Sequence, residues 1–191
     1  MTLVLASGSP YRRELLARLR VPFEVMAPNV DEAPAAGERP AALASRLARA
    51  KAQAVAASRP RAVVIGSDQV ATLDGRTPIG KPGTLERARE QLRAASGRAM
   101  QFHTAYAVVA PGRPLVEGTV PVTVRFRELE PAEIERYLAL EQPLDCAGAA
   151  RCEGLGISLL EAIHTDDPTA LVGLPLIQVA ETLRRLGIPV P

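Results

Sequence analysis

Apolar positions along this chain change their period several times, and the changes mark out its elements. Residues 3–6 form a short apolar run that predicts a first strand. It breaks at Ser7-Gly8-Ser9, where Ser9 is suited to cap a helix and Pro10 to open it. Leu15, Leu16 and Leu19 then fall on one helical face, to about residue 20. An alanine-rich helix is predicted over about 40–57, with Leu43, Leu47, Ala50 and Ala54 at helical spacing. Residues 62–65 read as a buried strand that ends at Gly66-Ser67-Asp68, and Asp74-Gly75 as a tight turn between two short strands. Thr84 and Gly97 bracket a third helix over about 85–95.

The period then shifts to two. Residues 100–110 and 115–126 predict long strands joined at Pro111-Gly112-Arg113-Pro114, with Val120, Val122, Val124 and Phe126 alternating. A helix over about 132–140, a loop over 145–154, a strand over 156–163 and a helix over 176–186 complete the chain. Neither a repeat nor a low-complexity linker interrupts this order. The pattern predicts an α/β fold with a mixed sheet, in one domain spanning 1–191.

Composition narrows the function. With 47% hydrophobic and 23% charged residues, disordered, collagen-like and coiled-coil classes are excluded. A net charge of +2, 3% aromatics and no Trp argue against a nucleic-acid partner. No stretch approaches the ~20 apolar residues of a membrane span, and the N-terminus lacks a signal peptide's charged region, so a soluble cytoplasmic protein is expected. Cys146 and Cys152 read as small thiols, because two Cys with two distant His make a poor zinc site. The basic residues are more telling: of 23, only Lys51 and Lys81 are lysines. Arg and Lys are not interchangeable where a compact point charge is needed.

The strongest local signal is Ser7-Gly8-Ser9-Pro10-Tyr11-Arg12-Arg13. A glycine loop and two hydroxyls after a strand, at a helix start, favour an anion. Arg12 and Arg13 lie in the first turn, where the macrodipole disfavours each by ~0.3–1 kcal/mol. A docked polyanion removes that conflict. Asp68 and Asp31-Glu32 supply carboxylates, which with nearby cations are what Mg²⁺-assisted phosphoryl chemistry requires.

These residues, with Lys51, Gly66-Ser67-Asp68, Gly80-Lys81-Pro82, Ser96-Gly97, Asp145-x-Ala147-Gly148 and Val172-Gly173-Leu174-Pro175, resemble the Maf family over nearly the whole chain. The two lysines fall on that family's two functional lysine positions. The resemblance implies an elongated α/β structure like that of inosine-triphosphate pyrophosphatases, with two lobes around a central cleft. It also implies hydrolysis of nucleoside triphosphates to monophosphate and diphosphate, with Mg²⁺ or Mn²⁺ as cofactor. Carried over, Asp68 activates water or holds its metal and Glu32 joins it there. Ser7, Ser9, Arg12, Arg13, Lys51 and Lys81 receive phosphate oxygens. A nucleotide is the implied partner, and a homodimer is compatible with the family.

Three positions separate the family's branches and read here Tyr11, Gln69 and Glu153. An aromatic residue, Gln and Glu resemble the branch acting on 7-methyl-GTP, although Tyr11 stands where that branch often has Trp. A dTTP/UTP-directed branch carries a non-aromatic residue, Thr and Gln. A cationic methylated guanine would gain ~0.5–2 kcal/mol over an aromatic face, and Glu153 could accept from guanine's two pairing-edge N–H groups. The rivals are a pyrimidine-directed or broad pyrophosphatase and, from another class, the non-enzymatic septum-formation regulator that the family's historical name implies.

Overall fold

The computed structural model describes residues 2–191. Among them, six strands form one sheet in the order β2-β1-β3-β4-β5-β6. They are β1 (Leu3–Ala6), β2 (Glu24–Val25), β3 (Val63–Thr72), β4 (Ala99–Val109), β5 (Val116–Phe126) and β6 (Leu160–His164). β1 is parallel to β2 and β3, and every later pairing is antiparallel. The sheet is mixed, as the patterning predicts: β1 and the start of β3 are apolar on both faces because both faces are covered.

Five helices flank it: α1 (Pro10–Ala17), α2 (Pro40–Ser58), α3 (Leu85–Ala95), α4 (Pro131–Glu141) and α5 (Leu176–Arg185). α2 covers one face, where its Leu43, Leu47 and Val55 pack with Val4, Val64, Val70, Ala105 and Ala107. On the other face α1 and α5 bury Leu15, Leu16, Val179 and Leu183 against Leu3, Leu5, Val63 and Ile65. Farther along that face, α3 and α4 pack Leu92, Ile134 and Leu138 against Met100, Phe102, Val122 and Val124. Each buried leucine is worth ~1.5–3 kcal/mol. Such packing, not propensity, holds a helix as short as the eight-residue α1.

One close approach matters for function. α2 presses Ala44, Ala48 and Ala52, all fully buried, onto the sheet. A Cβ at Gly66 would lie 2.3 Å from the Ala48 carbonyl oxygen and 2.6 Å from the Ala52 nitrogen. Only glycine lets the two backbones meet there, and Lys51 comes down on the same buried face.

Several elements depart from the sequence pattern. The buried face of α2 is Leu43, Ala44, Leu47, Ala48, Lys51, Ala52 and Val55, so Ala54 is exposed and Ala50 only half-buried. The alanines of this helix carry no sign of which way they face; Gly66 decides it. The strand expected to end at Asp68 runs on to Thr72, because ladder pairing with β4 continues to Thr72↔Gln101. Asp74 does make the turn, accepting from the Arg76 and Thr77 amides at 2.8 and 2.7 Å, but only a single bridge, Ala71↔Ile79, follows it. The strand expected over 156–163 is a short 3₁₀ segment, Leu155–Leu159, and then β6. There the loop folds so tightly that a Cβ at Gly156 would lie 2.4 Å from the Arg151 carbonyl oxygen. β2, two residues long, gives no periodic signal at all.

Candidate active site

The ladder between β1 and β3 stops at Ala6↔Gly66. Beyond it β1 turns off through Ser7 into α1, while β3 continues, paired to β4 alone apart from the bridge at Ala71. The free edge of β3 therefore opens beside the carboxyl end of a parallel strand, the usual place for a ligand in such sheets. A cleft of about 800 Å³ lies there, within the range of nucleotide-sized sites. Its lining draws on both sides, from the α1 start to Phe102 and the 145–153 loop.

At one end two cations, Arg12 and Lys51, stand with two carboxylates, Asp68 and Glu32. Lys51 Nζ lies 2.5 Å from Asp68 Oδ1 and 2.6 Å from Glu32 Oε1. The Lys51 and Asp68 side chains are 6% and 9% exposed, whereas Glu32 is 61% exposed and closes the pair from the solvent side. Strand alternation sets this up: Gly66 and Asp68 face α2, and Ser67 and Gln69 face the other way. Ser67 Oγ bridges the Ala105 and Gly173 carbonyls at 2.7 and 2.9 Å. Arg12 Nε donates to the same Gly173 carbonyl at 2.8 Å, which leaves both terminal nitrogens for an anion. Burial pulls the Arg12 guanidinium below its ordinary pKa, with the charges of Asp68 and Glu32 opposing. Ser9 caps α1 through the Arg12 amide at 3.4 Å, and the buried Ser7 Oγ accepts from the Ser9 amide at 3.1 Å. Both hydroxyls keep their own protons to donate. Lys81, itself exposed, lines the cleft between the exposed Gly80 and the buried Pro82.

The other end is acidic. Tyr11 donates to Asp145 Oδ2 at 2.9 Å and accepts from Arg151 Nη2 at 2.5 Å. The Arg151 guanidinium carbon stands 5.4 Å from the Tyr11 ring centroid, and its Nη1 and Nη2 reach Glu141 and Asp145 at 2.9 and 3.1 Å. Burial and the Asp145 hydrogen bond push the Tyr11 hydroxyl well above its ordinary pKa, so it remains a phenol. Against burial, hydrogen bonds from Tyr11 and Cys146 and the Arg151 charge hold Asp145 below the usual carboxylate range. Glu153 lines the cleft beside this network. Arg151 in this network is already matched by two carboxylates, Glu141 and Asp145.

Of the residues singled out in the sequence, Ser7, Ser9, Tyr11, Arg12, Glu32, Lys51, Asp68, Gln69, Lys81 and Glu153 line this one cleft. Arg13 does not; it is exposed on the outer side of α1. Sequence reasoning gave no role to Arg151, Asp145 or Thr104, which hold Tyr11 and Gln69 by contacts remote in sequence. An arginine inside the acidic 145–153 loop was the one available sign.

Asp68 and Glu32 meet at one nitrogen, and their second oxygens have no protein hydrogen bond among the described residues. Hard oxygen donors placed so suit a divalent cation that takes one or two carboxylates and otherwise phosphate oxygens and water. Among the described residues no group of three or more metal-binding side chains occurs, as such a cation requires none.

A family model described as Maf-like protein matches residues 2–186. The chain belongs to the Maf-like family. Among the relatives of this Maf-like chain, the 7-methyl-GTP pyrophosphatase of Bordetella pertussis is 57% identical over 186 residues, covering 97% of this chain and 92% of its own length. The 7-methyl-GTP pyrophosphatase of Xanthomonas oryzae pv. oryzae is 57% identical over 189 residues, covering 99% and 98%. A solved structure from Mycobacterium abscessus, described as a nucleoside-triphosphatase / dITP/XTP pyrophosphatase, aligns with a TM-score of 0.50 at 16% identity, over 98% of this chain and 96% of that one. That likeness bears on the fold, which the two share. No described helix is long and apolar enough to cross a membrane.

Proposed function

We propose that this Maf-like protein hydrolyses 7-methyl-GTP to 7-methyl-GMP and diphosphate. The observation that carries the reading is one cleft in which Arg12 and Lys51 stand with the carboxylates Asp68 and Glu32 at one end, Asp145 and Glu153 stand beside Tyr11 at the other, and Lys81 is on its wall. A triphosphate suits the first and a positively charged base the second. The names of the relatives agree with it.

In this mechanism Asp68 takes a proton from the attacking water as its oxygen bonds to the α-phosphorus. The bond from that phosphorus to the bridging oxygen breaks, and diphosphate leaves with the electron pair. Arg12, Lys51 and Lys81, with the Ser7 and Ser9 hydroxyls, hold the phosphate oxygens in line and offset the charge that builds on the leaving group. Glu32 and Asp68 would hold the divalent cation, which when bound adds positive charge at the phosphates. At the other end Tyr11 offers its ring to the base, and Glu153 and Gln69 Oε1 offer acceptors to its N–H groups. We read the substrate as a free nucleotide in the cytoplasm.

The test is a panel of 7-methyl-GTP, GTP, dTTP and UTP, with diphosphate and orthophosphate measured separately, with and without chelator. Metal-dependent diphosphate release, fastest per kcat/KM with 7-methyl-GTP, is expected. Orthophosphate as first product would overturn the reaction; equal values for dTTP and 7-methyl-GTP would overturn the substrate.

A further inference from the structure

Asp167 is a fully buried carboxylate that the mechanism above does not use. It stands near the start of the loop that returns from β6 to α5, and its side chain bonds to that loop and to the first turn of α5. Oδ1 accepts from the Thr169 amide at 2.8 Å and lies 2.6 Å from its hydroxyl. Oδ2 accepts from the Ile177 amide at 2.8 Å. Ile177 lies in the first turn of α5, whose N-cap is Pro175 with no capping side chain. Asp167 therefore caps a helix from ten residues away, and Thr169 adds a second tie by accepting from the Leu176 amide at 2.8 Å.

What the loop presents between these ties is a row of carbonyls facing the site. Gln69 Nε2 donates to the Ala170 and Leu171 carbonyls, both at 2.9 Å, and to Thr104 Oγ1 at 3.0 Å. Thr104 Oγ1 in turn gives its proton to the Ala170 carbonyl at 2.8 Å. Carbonyls only accept, so the nitrogen of the carboxamide must face them and the oxygen must not. Gln69 is thus held as a fixed acceptor whose Oε1 has no hydrogen-bond partner among the described residues. Two positions farther on, the Gly173 carbonyl holds Arg12 and Ser67.

We propose that Asp167 is a positioning residue for substrate selection. It fixes the loop whose carbonyls orient Gln69 as an acceptor and hold Arg12, so that base and phosphate recognition depend on one buried carboxylate. The base half rests on the reading above that Gln69 faces the nucleobase; the phosphate half does not. Asp167→Asn keeps the shape but turns an NH₂ group toward amide donors, which shifts the loop. Thr104→Val removes a Gln69 tie together with Thr104's own bond to the Ala170 carbonyl, and Ser67→Ala a Gly173 tie together with the bond to the Ala105 carbonyl, and neither touches the carboxylate.

The experiment measures kcat/KM across the four nucleotides, inhibition by inorganic tripolyphosphate, and Tm. Leu183→Ala, on the buried face of α5, serves as a variant destabilised without touching the carboxylate. For Asp167→Asn we expect the preference among bases to fall about tenfold or more, and tripolyphosphate inhibition to weaken about fivefold. Thr104→Val should reproduce the first effect alone, and Ser67→Ala the second alone. Leu183→Ala should lower Tm and change neither. Should wild type treat all bases alike, the substrate reading falls, and Asp167 is judged on tripolyphosphate. Wild-type selectivity and inhibition in Asp167→Asn, with only Tm reduced, would make it a helix cap and nothing more. Should that variant not fold, unchanged values in both Thr104→Val and Ser67→Ala overturn the proposal.

Discussion

Replacing Asp68 by Asn separates the charge of the proposed proton acceptor from its shape. Removing one partner of a buried ion pair costs ~3–5 kcal/mol when the other is stranded. Lys51 is not stranded here: Glu32 stays 2.6 Å away and a carboxamide oxygen can still accept from Nζ. The loss is then that of one charge-assisted hydrogen bond weakened to an ordinary one, about 1–2 kcal/mol. For a chain of this size that lowers Tm by roughly 2–8 °C. Turnover should fall much further, by about 10²–10⁴-fold, the usual worth of a positioned proton acceptor. Calorimetry and diphosphate release at saturating nucleotide read the two separately. A folded variant with kcat within about tenfold of wild type, under about 1.4 kcal/mol of barrier, would remove Asp68 from the chemistry.

Three other outcomes follow from the geometry. Gly66→Ala puts a methyl group into the backbone of α2, an overpacking of ~1–3 kcal/mol or more; Tm and kcat should fall together because Lys51 is lifted from Asp68, and a normal Tm would show that the helix is free to move away. Tyr11→Ala should reduce kcat/KM for 7-methyl-GTP more than for GTP, and Tyr11→Trp should keep the preference; equal losses on both nucleotides would mean that the ring does not meet the base. Burial, with Asp145 and Glu153 nearby, pushes the Cys146 thiol from 9.0 up to about 11, and burial with the Glu153 charge pushes Cys152 up to about 12. The folded state prefers these thiols protonated, so their contribution to stability is full below about pH 9 and is lost as pH climbs through 11 and 12. Alkylation at pH 8 should therefore be far slower in the native protein than in urea, and equal rates would contradict the burial.

The fold was legible where one physical signal dominated. Alternation in β4 and β5, Ser9 and Pro10 at the start of α1, and Thr84 ahead of α3 each specify a local geometry, and each stands as expected. Where the decision is made by a partner far along the chain, the sequence is silent. Ser67-Asp68-Gln69 interrupts an apolar run and reads as a strand end, but each side chain has a partner: Gly173 for Ser67, Lys51 for Asp68, Ala170 and Leu171 for Gln69. The polar triplet lies inside a strand, and its Asp68 and Gln69 open on the candidate cleft. Arg13 shows the converse. Two adjacent arginines look alike in sequence, yet successive residues on a helix point about 100° apart; Arg12 turns to Gly173 and Arg13 to solvent.

That same angle explains how so short a helix serves both ends of the cleft. Tyr11 and Arg12 are neighbours on α1; the first reaches Asp145 and Arg151, the second Gly173. Each contact belongs to a different loop, and both loops close on the helix. A ligand that fills only one end meets only one of them. Diphosphate alone should leave Tyr11 unengaged, and a nucleoside alone should leave Arg12 facing Asp68 and Glu32 without its anion. On the function proposed above, base contacts bear on the rigid element that also places the phosphates. Binding energy gathered at the base is then available where the bond breaks, and the preference for one base should appear in kcat as well as in KM.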